Sequence, residues 1–412
     1  MRKEITILAT TYAVNPYKGS EDGMGWNFIL QIARHQQVIA VTRENNRPHI
    51  ERYMAEHPHP AYERITWTYY DLPQYLRWWK KGARGAMLYY LLWQRGVVGF
   101  VQKLGLHFDI VHNVNFHNDW SPSYLWKLGK PFVWGPVGHH PLIPAQYLKP
   151  YSWQELVKDR LTWSVKRYFW KYSGQLRRSV KKASHIICMN RSVPQVLDLS
   201  NVQYSVSPSV AGHWPDVSAA VVKKRFIIIS AGRLVPLKGF DLTIRAFAHW
   251  VRNHPRAAGA ELQIVGSGPE LARLQHIAKE QGVSGQIRFT AWVEREELMK
   301  MYRQASLFLF PSHEGAGMVV AEAMSYGLPV VCLDNVGPGQ FITSECGVAV
   351  PMRDYETTVR DLAEALGQLH ADEKRYAALS EGARQRFGQV FEWDRRGEQL
   401  SGIYDSVLKK SC

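Results

Sequence analysis

Short apolar runs of strand length recur along this chain, each followed by a loop or a helical pattern, and that alternation constrains the fold more than any other feature. In the first half they fall at 5–9, 38–41, 65–69, 110–114, 132–134 and 186–189; the second half repeats the plan at 226–229, 262–265, 287–289, 307–310, 330–333 and 348–350. Apolar runs separated by helix-length segments read as parallel strands buried on both faces. The fold class is therefore α/β, with two Rossmann-like doubly wound units expected to face each other across a cleft. At 412 residues the chain exceeds one ordinary core, which agrees with two. A Ser/Pro cluster at 205–209, ahead of the basic Lys223, Lys224 and Arg225, puts the linker there. The expected division is a first domain over 1–205 joined by a C-terminal helix at about 391–412, and a second domain over 206–390.

Two places in the second half carry chemistry. The run at 307–310 ends at Pro311 and enters His313-Glu314-Gly315-Ala316-Gly317-Met318-Val319-Val320-Ala321-Glu322, a glycine turn opening a helix. Glu314 falls in the turn and Glu322 on the helix. Such a turn aims backbone N–H groups and the positive end of a helix dipole at a phosphate, while Glu314 is suited to accept hydrogen bonds from hydroxyls. The strand at 226–229 runs into Gly232-Arg233-Leu234-Val235-Pro236-Leu237-Lys238-Gly239, so Arg233 and Lys238 leave one strand end together. Ligands of open α/β sheets bind at that end, and a forked guanidinium beside an ammonium matches a diphosphate.

With Val265-Gly266-Ser267-Gly268-Pro269 after the run at 262–265, these motifs resemble the retaining glycosyltransferases of the large family 4, which have the two-domain B-type fold. The likeness is strongest from about residue 226 to 350 and extends more loosely over nearly the whole chain, including Phe391-Glu392-Trp393 and the helix after it, similar to that family's helix crossing back to the first domain. The resemblance implies that Arg233 and Lys238 hold the donor diphosphate and Glu314 the sugar hydroxyls. It further implies that Glu322 holds the ribose, that amides of Gly317, Met318 and Val319 face the phosphates, and that Gly232, Gly266 and Gly268 line the donor. The donor would be a nucleoside diphosphate sugar of the UDP or GDP type, with no further cofactor and no metal.

In the first half, Gly19-Ser20-Glu21-Asp22-Gly23-Met24-Gly25-Trp26-Asn27 reads as a glycine loop entering a helix at 28–33, where Gly23 and Gly25 would let the main chain approach a ligand. The family carries a glycine loop here, and this version resembles a subset associated with bacterial surface polysaccharide assembly. Family members also place a histidine at the cleft; His117 and His139 both answer to that position.

The balance of 51 Lys+Arg against 36 Asp+Glu gives a formal +15, enough to attract polyanions or an anionic membrane face. No helix-turn-helix, zinc-finger or RNP-like signature accompanies it, so nucleic acid is not expected. Cations and aromatic rings interleave at 75–103 and at 158–182, where the longest apolar stretch, 86–93, is far short of the roughly 20 residues that span a bilayer. These segments suit reversible attachment to an anionic membrane surface as well as packing of one face on a sheet. Cysteines 188, 332, 346 and 412 show no CxxC spacing, and the strand at 5–9 follows Met1-Arg2-Lys3-Glu4 directly, so the expected setting is cytoplasmic, with the inner face of the cytoplasmic membrane as a peripheral location.

The expected reaction moves a sugar from the nucleotide to a saccharide or lipid-linked saccharide with retention at the anomeric carbon. A nucleotide-sugar epimerase of similar architecture and an inactive membrane-bound scaffold are the competing readings. A dinucleotide oxidoreductase fits less well, because no GxGxxG follows the first strand.

Overall fold

The computed structural model describes residues 5–80, 82, 85–116, 118–215 and 225–410. They form two compact units: residues 1–139, 164–209 and 393–412 make the first, and 140–163 with 210–392 the second.

The first unit is a parallel sheet of β1 (Thr6–Thr10), β2 (Gln37–Thr42), β3 (Ile65–Tyr69), β4 (Ile110–Asn113), β5 (Phe132–Val137), β6 (His185–Cys188) and β7 (Tyr204–Val206), in the order β3-β2-β1-β4-β5-β6-β7. Around it lie α1 (Ser20–Ala33), α2 (Ala86–Leu104) and, at the end of the chain, a helix from Trp393 to Lys409. The core gathers Leu8, Val111, Phe132 and Ile186 from the sheet with Trp93, Val97 and Val101 from α2, whose apolar residues recur every three to four positions.

The second unit has a sheet of β8 (Ile227–Ala231), β9 (Glu261–Val265), β10 (Ile287–Thr290), β11 (Leu307–Phe310), β12 (Val330–Asp334) and β13 (Gly347–Pro351), in the order β10-β9-β8-β11-β12-β13 and parallel throughout. α3 (Trp153–Tyr172) and α4 (Gly174–Lys182) precede it in the chain, and α5 (Phe240–Asn253), α6 (Met318–Ser325) and α7 (Trp393–Lys409) follow β8, β11 and the last segment of the second unit. β11 is buried at every position, which explains its unbroken apolar sequence. In both sheets the first strand of the unit lies inside, so the strand order reverses beside it; that reversal leaves a crevice at the carboxyl ends, where such folds take ligands.

Three expectations change. Residues 140–163 belong with the second unit rather than the first, because Ile143, Tyr147 and Leu148 enter its core and Tyr151 donates to the buried Asp241 at 2.6 Å. The supposed linker at 205–209 overlaps the end of β7, which is paired in parallel with β6; the strand's Tyr-Ser-Val side chains are largely exposed at the sheet edge, so it lacks the apolar signature of a central strand. The glycine loop near residue 20 is already helix, since α1 starts at Ser20 and takes Gly23 and Gly25 inside it.

Candidate active site

β8 delivers the chain into the crevice between β8 and β11. Past Ala231, Gly232 holds φ of 151°, and the backbone turns so that the Leu234 N–H donates to the Ser267 carbonyl at 3.0 Å. A short 3-10 turn, Pro236–Lys238, then ends at Gly239, whose φ of 66° is the left-handed region that glycine adopts without strain. A Cβ there would lie 2.1 Å from the Pro311 carbonyl oxygen, so the loops after β8 and β11 approach too closely for any other residue. The same two loops are tied by the His313 N–H donating to the Leu237 carbonyl at 2.9 Å and by the Ser312 hydroxyl donating to that oxygen at 3.2 Å.

The closure brings Lys238 and Glu314 together. Lys238 Nζ lies 2.7 Å from Glu314 Oε2, with both side chains mostly buried, and 5.2 Å from the centre of the Phe310 ring. The lysine stem crosses Gly232, where a Cβ would stand 3.3 Å from its Cε. Arg233, next in sequence, is exposed. Glu314 is set by its neighbours: its N–H donates to Ser312 Oγ at 3.2 Å, the following Gly315 N–H donates to His140 Nδ1 at 3.1 Å, and Asn335 Nδ2 donates to the Ser312 carbonyl at 2.6 Å. Because Nδ1 accepts from an amide, the bond with Gly315 belongs to the neutral form of the His140 ring. The turn then reaches α6, with Gly317 at the N-cap and the partly exposed Met318 and Val319 in its first turn. These amides begin a helix beside a cationic lysine, an arrangement that attracts an anion.

On α6, Glu322 is buried and accepts from Arg295 at 3.2 and 3.3 Å, through Nη2 and Nε. Burial raises the carboxyl above its ordinary range, and Arg295 acts against that rise. Glu322 is thus held in place, and not a solvent-facing helix residue. The loop after β9 is equally close packed: Gly266 has φ of 147°, and a Cβ there would lie 1.9 Å from the Gly232 carbonyl oxygen, while one at Gly268 would lie 2.3 Å from that of Leu234. Ser267 Oγ accepts from the N–H of the exposed Trp292 at 3.1 Å.

In the first unit, a Cβ on Gly23 would meet the Lys18 carbonyl oxygen at 2.3 Å and one on Gly25 that of Ala13 at 2.0 Å, so the chain passes itself too closely at both positions for a larger residue. The loop held there is fixed by Asn115, whose Nδ2 donates to the Ala13 carbonyl at 2.6 Å. His139 is buried, with Nδ1 2.7 Å from Asp119 Oδ2 and its ring 5.4 Å from that of Trp170. His117 lies outside the described residues.

The second unit therefore supplies Lys238, Glu314, the start of α6 and the Arg295–Glu322 pair from three strand ends, those of β8, β10 and β11. Sequence reasoning named most of these, quoting Ser267 within a motif without giving it a role, but missed Arg295, His140 and Asn335. Arg295 was accessible as the cation just beyond β10, and His140 as the neighbour of a histidine already singled out; nothing local marks Asn335.

Two doubly wound units, one of them gathering a lysine, a carboxylate and a helix start at its switch point, place the chain among the two-unit α/β folds that take ligands at the strands' carboxyl ends. The family described as "Glycosyl transferases group 1" matches residues 216–386. The D-inositol 3-phosphate glycosyltransferase of Corynebacterium jeikeium is 35% identical over 325 residues, 76% of this chain and 75% of that protein. The chain belongs to this glycosyltransferase family. The GDP-mannose-dependent alpha-(1-6)-phosphatidylinositol monomannoside mannosyltransferase of Mycolicibacterium smegmatis is 33% identical over 188 residues, so the likeness spans about half of each, 43% of this chain and 47% of the relative. Among solved structures, sucrose-phosphate synthase from Thermosynechococcus elongatus shares the fold with a TM-score of 0.66 at 18% identity, over 99% of this chain and 100% of that one.

Proposed function

We propose that this protein transfers a sugar, with retention, from a nucleoside diphosphate sugar of the UDP or GDP type to a saccharide or lipid-linked saccharide in surface polysaccharide assembly, at the cytoplasmic side of the membrane. The observation that carries this reading is the Lys238–Glu314 pair, 2.7 Å apart at the switch-point crevice of the second sheet. In that reading the diphosphate takes Lys238, Arg233 and the first amides of α6, Glu314 turns to the sugar hydroxyls, and Glu322 receives the ribose. The cations supply the positive charge that a leaving diphosphate needs, so no metal is called on for that step. Each donor placed where charge develops contributes on the order of 3 kcal/mol to the barrier. With a same-face displacement, the departing phosphate oxygen accepts the acceptor's proton, and the protein's part is positioning and charge.

The relatives' names support the substrate class: one is GDP-mannose-dependent and acts on a phosphatidylinositol mannoside, the other is named for inositol 3-phosphate. A thermal-shift panel of UDP, GDP and their sugars tests the donor, since a ligand that binds the native state raises its melting temperature. No shift with any of them would remove the proposal. Product analysis with donor alone separates transfer from epimerisation, because only the epimerase turns over without an acceptor.

A further inference from the structure

α3 carries its apolar side chains on the side where a helix of this kind ordinarily carries charge. None of its 20 residues is buried. Trp153, Val157, Leu161, Val165, Tyr168 and Tyr172 are spaced by three or four residues, which at helical geometry gathers them into about 120° of arc over a length of about 30 Å. All six are exposed, Trp153 by 71%, Leu161 by 64% and Tyr168 by 61%. The residues that do pack, Leu156 and Trp170, fall on the opposite side. So the apolar stripe runs along the middle of the solvent face.

Charge marks what the stripe faces. Lys158, Arg167 and Lys171 are exposed along its margins, while the acids Glu155 and Asp159 fall toward the packed side. The next helix, α4, buries Leu176 and Val180 and leaves Arg177, Arg178, Lys181 and Lys182 exposed. An apolar stripe ending in aromatic rings and edged by cations suits the headgroup layer of a bilayer. A second copy of the chain would bring like charges together, each chain carrying a formal +15. In the other basic aromatic segment Tyr89, Tyr90 and Trp93 of α2 turn into the core, and the exposed Tyr75, Trp78 and Leu88 form no continuous helical stripe like that of α3. No helix among the described residues is long and apolar enough to cross a membrane.

We propose that α3 is a docking helix that lies on an anionic lipid surface, its stripe in the headgroup layer and Lys158, Arg167 and Lys171 at the lipid phosphates. The test is co-sedimentation of the full chain with vesicles of phosphatidylcholine and phosphatidylglycerol, against phosphatidylcholine alone. Wild type binds the mixed vesicles and leaves them as salt rises. Leu161→Glu with Tyr168→Glu lowers that binding by roughly tenfold or more at an unchanged melting temperature, since both side chains are exposed. Lys158→Gln with Lys171→Gln weakens binding to the mixed vesicles only. Absence of wild-type binding, or full binding by the acidic double variant, overturns the proposal. So does a concentration-dependent dimer that the acidic variant breaks, which would assign the stripe to a second copy. The vesicles contain neither donor nor acceptor, so docking and the sugar-transfer reading stand or fall separately: the nucleotide thermal shift reports on the second alone.

Discussion

At the scale of single residues, the ion pair of Lys238 and Glu314 makes two substitutions behave differently. Lys238→Ala removes a charge that would meet the leaving diphosphate, and turnover should fall by roughly two orders of magnitude or more in a protein that still folds. A correctly folded Lys238→Ala enzyme of full activity would count decisively against the assigned role. Glu314→Gln removes a carboxylate that competes with the diphosphate for the same ammonium. Nucleoside diphosphate affinity should therefore hold or improve in that variant while turnover drops by about 100-fold, measured as a split between binding and rate. Weaker nucleotide binding in Glu314→Gln would place the glutamate on the nucleotide and not on the sugar. Both residues were legible from sequence because each stands at a strand end in a recognisable turn. Their contact was not, since it depends on Gly239 and Pro311 letting two distant loops meet.

At the scale of elements, the site depends on how closely the loops after β8, β9 and β11 pass one another. Gly239→Ala tests this directly. It forces an L side chain into φ of 66° and drives its Cβ into the Pro311 carbonyl. The expected cost is on the order of 1–3 kcal/mol of stability, with nucleotide affinity lost together with it, because Lys238 precedes the shifted residue. A variant that melts like wild type and binds nucleotide equally well would show that the loops have slack. Strand positions were the most readable elements: the run at 307–310 coincides with β11 and that at 65–69 with β3. β7 was missed because an edge strand with exposed side chains has no apolar run to detect, and the helical start of α1 was missed because its glycines resemble a loop until Ala13 and Lys18 are seen packed against them.

At the scale of the molecule, each unit contains a histidine buried in the neutral state. His112, in the first, has Nε2 2.7 Å from the Gly135 carbonyl, which can only accept, so Nδ1 takes the Tyr404 hydroxyl proton at 2.7 Å and anchors α7. His313, in the second, precedes Glu314 and packs edge-on against Tyr147, ring centres 4.9 Å apart. Burial lowers both from an ordinary 6.5 to about 4. Between those values the unfolded chain binds protons that the folded chain refuses, so stability is complete above pH 6.5 and lost as pH falls toward 4, on the order of 3 kcal/mol for each ring. Melting temperature followed from pH 7.5 downward should decline through about that window. A flat profile would mean that neither ring is held neutral.

What the sequence by itself determined is local and periodic: the alternation of strand and helix, the two-fold repetition of the plan, and the strand-end turns bearing Arg233, Lys238, Glu314 and Glu322. These follow from burial on both faces of a parallel sheet and from turn chemistry, which neighbouring residues suffice to specify. Only the tertiary structure decided the partnerships. It put residues 140–163 with the second unit, His140 on the Gly315 amide, Arg295 on Glu322, and the apolar stripe of α3 outside. The reason is physical: a periodicity says that a helix has an apolar face, whereas which side of it meets protein is settled by whatever the rest of the chain packs against it.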